Sequence, residues 1–520
     1  MFYINSQENT LINTFIHDFE TLTSLNAYIK THITNTDKLL VQIFFHTNIE
    51  KEMLKILSVC NELLPDAHIV GTTTDGSIHK DNSDTNKTVI SFTTFEKSTL
   101  QHILLPFDTD QEEDAAQMLC DKLLTPKSKL LIIFADGLFC NIGGVVNAIH
   151  TRHPDVIIAG GLAGDNAEFK KTLVCDKHSV SQHAIVALSI NSDVLKVHND
   201  YTLAWKSVGG DMEVTKCNKN IIYEINNENA MHIYQKYLNT IHLPPYQHTK
   251  NQPTVGINFP FLIKREAFDI ARAGLNINDD GSIYFAGEFE EGDKLAFSFT
   301  NEEQIIKSAV QLGQRVAKKP VQTIFVYSCM ARRRFMEKNI YHDLEPLIKI
   351  APVSGFYTYG EIYSAPHGKE LLNHTMTIVA LSEENEIYCH NIDKEYSNDY
   401  KDETFDALLH LLTTVQKEAA PNNDTVVMLS NQLQYHTTTG KLFYNNTLIK
   451  LSKSESLCFE KLFLNMDSKQ PLTAESIIAY VWNDESKTID SVRNLIKKLR
   501  KKIPEDIIKN VYGGMYKLDI

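Results

Sequence analysis

The chain lacks most of what would set it apart from an ordinary globular protein. No apolar run approaches the roughly 18 residues that cross a bilayer, and the opening MFYINSQENT has neither the basic region nor the apolar stretch of a signal peptide. Cysteine is scattered. The eight, at positions 60, 120, 140, 175, 217, 329, 389 and 458, include no CxxC pair, which excludes the common thiolate metal and redox motifs. Such scatter suits reduced thiols, so the expectation is a cytoplasmic protein with no membrane partner. Glycine and proline, 22 and 15 residues, are too few for a fibrous or low-complexity chain. What is present is 520 residues, 43% apolar and 22% charged, enough for several buried cores.

A net charge of −14 argues at first against nucleic acid, but the average hides two regions. From Ser430 to Ile520 there are 14 Lys and Arg against 10 Asp and Glu, or +4, whereas the first 429 residues hold 37 against 55, or −18. A basic module follows an acidic body. Within it, Ser454 with Glu455 signals a helix start before Leu457, Phe459, Leu462, Phe463 and Leu464, and Thr473 is an N-cap for Ile477, Ile478, Val481 and Trp482. A third helix is the informative one. In KTIDSVRNLIKKLRKKI the residues Ile489, Val492, Leu495, Ile496, Leu499 and Ile503 form one apolar stripe, flanked by Arg493 and Arg500, with Asn494, Lys497, Lys498 and Lys501 opposite. Its positive charge suits phosphates, and Arg and Asn reach base edges. Pro504 stops the helix, and IIKNVYGGMYKLDI alternates around Gly513 and Gly514 as a hairpin does.

These elements, preceded by strand-like YHTTTGKLFYNNTLIKLS, resemble the OmpR/PhoB-type winged helix of bacterial transcription regulators over about the last 90 residues. The resemblance departs at the wing, where Tyr512 replaces the usual Arg and Met515 the usual Gly. It implies that Arg493, Asn494, Lys497, Lys498, Arg500, Lys501, Tyr512 and Lys517 meet double-stranded DNA. Such winged helices commonly follow a receiver domain phosphorylated on Asp. Asp136 ends the apolar LLIIFAD, but the preceding strand LLVQIFFHT offers no acidic pair for the metal ion, so the front end is a different sensor.

The body repeats itself. VQIFF at 41–45, a helical stretch, a strand near Ile69 and Val70, the loop Gly71 to Ile78 (GTTTDGSI) and TVISF are matched downstream by TIFVYS at 323–328, a helix, the loop Gly355 to Ile362 (GFYTYGEI) and MTIVAL. Both loops read G-x-x-T-x-G-x-I. A looser third copy runs from LIIFAD through the loop Gly160 to Asp165 to HAIVALSI. Glycine loops after buried strands bring backbone N–H groups close to a ligand, with Thr74, Thr358 and Asp165 as polar handles. Recurrence of the pattern points to one composite pocket; taken singly, each loop is equally a tight turn.

GTTTDGSI, IIAGGLAGD, REAFDIARAG, SCMARR, GFYTYGEI and LLNHTMTIVALSE together resemble a FIST sensory module, its N-terminal half over roughly 20–215 and its C-terminal half over roughly 220–385. The resemblance implies a ligand-sensing α/β fold that binds small molecules such as amino acids; some members of the family bind haem and respond to nitric oxide. The implied ligand site collects Gly71, Thr74, Gly76, Gly160, Gly161, Gly164, Asp165, Arg272, Cys329, Arg332, Gly355, Thr358, Tyr359, Gly360, Glu361 and Asn373. In it Arg272 and Arg332 are carboxylate anchors and Glu361 meets an ammonium group; internal salt bridges are the equal alternative. Cys329 beside three arginines suggests an enzyme, yet no base can be paired with it, so the expectation is a non-enzyme. His178 and His183 are the candidate haem ligands, with no CxxCH for covalent attachment. No other cofactor and no metal are expected.

Between the modules, at 400–429, Phe405, Leu408, Leu412, Val415 and Ala419 recur at helical spacing, a linker able to pack on the sensor or to join two protomers. A proline-bearing surface loop is expected at Ile241 to Pro253. The whole reads as an α/β sensor of repeated strand-helix-strand units in two halves, a helical linker, and a winged helix-turn-helix domain over 430–520.

Overall fold

A computed structural model describes residues 10–79, 85–107, 111–139, 142–238, 258–264, 269–365, 368–387, 426–437, 440–466, 471–482, 487–511 and 514–519. The proline loop and all of the 400–429 linker before residue 426 lie outside them. The chain forms two compact units, Met1–Val415 and Gln416–Ile520. Both expected FIST halves fall within the first.

The three repeats are three parallel strand pairs. Leu39–Phe45 pairs with His68–Thr73, Ser128–Ala135 with Ile157–Leu162, and Thr323–Cys329 with Val353–Thr358. Returning strands Val89–Phe95, Ala184–Asn191 and Thr375–Ser382 flank the pairs antiparallel. The first strands are near-continuous apolar runs, LLVQIFF, SKLLIIFA and TIFVYSC, because helices cover one face and neighbouring sheets the other. One aromatic from each repeat meets in the middle: the Phe44 ring centre lies 5.4 Å from that of Phe356, which lies 5.4 Å from that of Phe134. Fully buried, these rings supply much of the apolar area that holds the repeats together.

What links the sheets is an exchange of strands. After its loop, each repeat sends a short strand to another repeat's sheet. Ser77–Ile78 of the first pairs with Val353–Thr358 of the third, Ile78 opposite Gly355. Glu361–Ala365 of the third pairs with Ile157–Leu162 of the second, Glu361 opposite Gly161. Val174–Asp176 of the second pairs with His68–Thr73 of the first, Cys175 opposite Gly71. The cycle closes, so no sheet is complete without a neighbour. The first glycine of each loop lets the two parallel strands of its own repeat lie together: an added Cβ would lie 2.9 Å from the Ile43 carbonyl oxygen at Gly71, 1.9 Å from that of Ile133 at Gly160, and 1.7 Å from that of Val326 at Gly355.

A further sheet inside the first unit was not legible in the sequence. The long strand Lys206–Asn218 pairs with Lys294–Phe299 and with Ile221–Ile225, around a core of Tyr234, Phe261, Phe285 and Phe297. Arg272 ends its strand Asp269–Arg272.

The second unit is a four-stranded sheet from Val426 to Ile449, the helices Lys453–Leu464, Ala474–Val481 and Ile489–Lys502, and the hairpin Ile508–Val511 with Met515–Leu518. Phe459, Ile477, Val492, Ile496, Leu499 and Tyr516 form its core. Thr473 caps the second helix as expected, accepting from the Ser476 N–H at 3.2 Å. The first helix starts at Lys453, with its cap two residues before the expected Ser454. Its cap is Ser452, whose N–H donates to the Glu455 carboxylate at 2.7 Å, a capping box that Ser454 is too close to Glu455 to make.

Gly355→Ala is expected to cost at least about 3 kcal/mol, because the methyl group meets a fixed carbonyl rather than a mobile side chain. Gly210→Ala, where nothing lies within 4 Å of the added Cβ, should shift stability by no more than about 0.5 kcal/mol. Denaturant unfolding of the two variants checks both.

Candidate ligand site and nucleic-acid interface

Strand exchange brings the three glycine loops together. Asp75 N–H donates to Tyr357 O at 2.9 Å, Gly164 N–H to Thr73 O at 3.0 Å, and Leu162 N–H to Gly360 O at 2.9 Å. Around this junction most of the expected handles are engaged by the protein itself. Thr74 Oγ1 donates to Phe45 O at 3.2 Å and accepts from Gly76 N–H at 3.1 Å; Thr358 Oγ1 bonds both the carbonyl and the N–H of Gly360. Those threonines close their own turns. At Gly161 an added Cβ would lie 3.0 Å from Gly360 O, and at Gly164 2.6 Å from Asp75 N, so these glycines admit neighbouring backbone.

Asp165 organises its loop. Its carboxylate accepts from the N–H groups of Phe169, Lys170 and Lys171 at 2.8, 2.7 and 2.9 Å, and from the Tyr359 hydroxyl. The Phe169 ring stacks on Tyr359, with centres 4.7 Å apart. Arg272 is buried across Gly287 and donates from Nη1 to Leu371 O at 3.0 Å and toward Asn373 Oδ1 at 3.4 Å, while Asn373 Nδ2 approaches Tyr359 O at 3.5 Å.

Arg332 is where expectation and structure part. Fully buried, its Nε and Nη2 grip Asp343 at 2.9 and 2.7 Å, so the salt-bridge alternative holds for it. The next two residues, expected only as cationic neighbours of Cys329, have a carboxylate partner instead. Arg333 Nη1 and Arg334 Nη2 both reach the buried Asp75, at 3.1 and 2.7 Å. Three consecutive arginines were the visible signal, and Asp75 sat unremarked inside GTTTDGSI.

Glu361 takes Thr375 Oγ1–H at 2.6 Å and the Thr375 N–H at 3.3 Å on Oε2. Its Oε1 has no partner within hydrogen-bond geometry among the described residues, although the Cys329 thiol lies alongside. Burial holds this carboxyl well above the usual carboxylate range. Burial, with Glu361 next to it, likewise pushes the Cys329 thiol well up, the opposite of what a nucleophile needs. Asp136 is buried and bonded to Thr172 Oγ1 and the His183 N–H, which makes it a structural carboxylate. Of the candidate haem ligands, His178 is exposed in a hairpin turn, and His183 lies against Phe139 with ring centres 4.3 Å apart. Among the described residues no group of three or more His, Cys, Asp or Glu is disposed to hold a metal ion.

In the second unit the helix Ile489–Lys502 buries Val492, Leu495, Ile496 and Leu499 and exposes Arg493, Asn494, Lys497, Lys498 and Lys501. Arg500 does not join that outer face. Its Nε and Nη2 donate to Ile508 O at 3.0 and 2.6 Å, and Nη2 to Asn510 Oδ1 at 2.9 Å, tying the helix to the hairpin. A groove of about 270 Å³ runs between the two, edged by Arg493, Lys497, Arg500, Lys501 and Asn510 over Tyr516. Lys517 is exposed beside Asp519, and Tyr512 lies outside the described residues.

A sensory unit followed by a DNA-binding unit defines a signal-sensing transcription regulator. The chain carries a FIST N domain, matched over residues 40–228, a FIST C domain over 230–364, and the C-terminal domain of transcriptional regulatory proteins, of OmpR/PhoB type, over 446–518. No curated protein matches it. Solved structures similar to it include a streptococcal redox sensor evolved from two-component response regulators, at 22% identity over 22% of this chain and 52% of that one, TM-score 0.16. The chain thus spans about half of that protein. Others are the DNA-binding domain of CpxR from E. coli, at 16% identity over 18% and 95% of the two chains, TM-score 0.16, and that of CssR from Bacillus subtilis, at 25% over 15% and 90%, TM-score 0.14. No helix among the described residues is long and apolar enough to cross a membrane.

Two variants test the buried charges. Arg332→Ala is expected to cost about 3–5 kcal/mol, because it leaves Asp343 buried and unpaired. For Glu361 the folded pKa lies above the unfolded one, near 4.3, so its favourable contribution is complete below that pH and is lost as pH rises toward the folded value. Glu361→Gln should therefore equal the parent near pH 4 and exceed it in stability at pH 7. Unfolding curves across pH 4–8 give the comparison.

Proposed function

We propose that the chain is a one-component bacterial transcription regulator in which an amino acid-like small molecule, held by the FIST sensor, changes the grip of the winged helix on duplex DNA. In this reading the sensor occupies 20–385 in two halves, 400–429 couples it to the DNA-binding domain at 430–520, and the protein works in the cytoplasm without catalysis. The observation that carries it is the outward face of the helix Ile489–Lys502, where Arg493, Asn494, Lys497, Lys498 and Lys501 stand exposed in a chain whose other unit is a sensor. Lys497, Lys498 and Lys501 meet phosphates, and Arg493 and Asn494 meet base edges. Arg500 ties the hairpin to this helix, and Lys517 on that hairpin meets the backbone alongside.

Duplex DNA binding by residues 416–520, which hold the expected 430–520 domain together with the strand Val426–Met428, should weaken steeply with salt. Lys497→Ala with Lys498→Ala should reduce affinity for all sequences and make the plot of log K against log salt shallower by about 2. Asn494→Ala should instead change the ranking among sequences. In the full chain, a thermal-shift screen of amino acids identifies the ligand, since a compound bound only by the folded state raises the melting temperature. The same compound must then change DNA affinity. Salt-independent DNA binding, or a stabilising ligand that leaves DNA affinity untouched, counts against this function.

A further inference from the structure

Two histidines meet where the first and second repeats touch. His68 opens the strand His68–Thr73 of the first sheet, and His102 lies in Thr99–Pro106, the edge strand of the second. Their rings stand at 88° with centres 5.1 Å apart, and the two Nδ1 atoms are 2.9 Å from each other. Both residues are half-buried. The crossing strand Val174–Asp176 runs beside them, paired with His68–Thr73.

At that distance the two nitrogens share only one proton. One ring donates from Nδ1–H, and the other must leave its Nδ1 bare to accept. A first added proton goes to the donor ring's Nε2 and leaves the bond intact. A second puts two N–H groups face to face, and the bond is lost.

The surroundings resist that second proton. Burial is the first cause for both rings, followed for His102 by His68 itself, and His102 is pushed down to about 4. Lys177 opposes a positive charge on either ring and His178 opposes one on His102, while Asp37 favours one on His68 and Asp176 one on His102. Asp176 Oδ1 is already engaged by the N–H groups of His178 and Ser179, at 2.8 and 2.9 Å. The adjoining strands add no charge at the pair: Leu40 stands beside His68 and Leu188 opposite His102.

We propose that His68 and His102 are a proton-operated latch between the first and second repeats, closed while one Nδ1 is bare and opened when both rings are protonated. The latch acts on the sensor whatever ligand the sensor takes, and so stands apart from the function proposed above. In the unfolded chain both rings titrate near about 6.5. As pH falls below that value, an opened state takes up protons that the closed pair refuses, so closure is complete above about pH 6.5 and weakens progressively toward about pH 4. What loosens is the seam between Thr99–Pro106 and the first sheet, next to the strand by which the second repeat completes the first.

Hydrogen exchange of the full chain, read by mass spectrometry and expressed as protection so that the intrinsic pH dependence cancels, tests the latch. Between about pH 6.5 and about pH 4.5, peptides covering 68–73 and 99–106 should lose protection at least about tenfold, and more than a peptide covering 323–329 of the third repeat. His102→Gln carries an amide that still donates to a bare His68 Nδ1 but has no titrating ring. It should keep the protection of 68–73 within about threefold over the same range. Unchanged protection at both strands, an equal loss at 323–329, or a loss as steep in the variant each overturns the proposal. If His102→Gln fails to fold, His68→Gln is judged in the same way at 99–106, and the parent's own profile stands as a test in either case.

Discussion

The sensor depends on backbone passing against backbone. Three short strands cross from one repeat to the next, onto parallel pairs that each need a glycine where the neighbouring strand's carbonyl fills the space of a side chain: Ile43 O against Gly71, Ile133 O against Gly160, Val326 O against Gly355. The crossing strands then set Ile78 opposite Gly355, Glu361 opposite Gly161 and Cys175 opposite Gly71. The aromatic centre follows from the same closure, since Phe44, Phe134 and Phe356 meet only when all three sheets are assembled. The glycine loops are thus the joints of the fold first, and they concentrate polar groups at one place because they are joints.

That arrangement sets the chemistry of the junction. Most of the charges named there have an evident counterpart: Asp343 for Arg332, Asp75 for Arg333 and Arg334, donors from the loop backbone for Asp165. Glu361 differs, with one oxygen satisfied and burial favouring its neutral form. A buried carboxyl whose neutral form burial favours, and the Arg333–Arg334 pair on Asp75, drawn from separate motifs, give the sensor two electrically distinct environments.

Much of this was visible beforehand, for identifiable reasons. The winged helix is specified locally: a 3.6-residue apolar stripe, an N-cap at Thr473, Pro504 after Ile503 and alternation in the last strands each act over a few residues. The repeats were visible because glycine at Gly71, Gly160 and Gly355 has no substitute. What escaped depends on partners far away in sequence. Which sheet receives the two residues Ser77 and Ile78 is settled by Gly355, and no periodicity encodes that. Arg332, Arg333 and Arg334 are equivalent as letters, but successive helical residues point about 100° apart, so only the first turns inward to Asp343. Arg500 looked like one more phosphate contact until the Ile508 carbonyl claimed it.

Strand exchange also sets an order of events on the ribosome. Ser77 and Ile78 emerge long before Gly355 and Phe356, their partners some 277 positions later. At about 5–20 residues per second, that strand waits roughly 15–55 s without its partner. The first repeat's own sheet waits roughly 5–20 s for Val174–Asp176, and the second's roughly 10–40 s for Glu361. Unpaired strand edges are templates for the wrong neighbour, so the nascent sensor passes through a period in which an adjacent chain on the same message can supply the missing strand. Translation speed across residues 80–355, and the chaperones present during it, therefore belong among the determinants of how much correctly closed sensor a cell obtains.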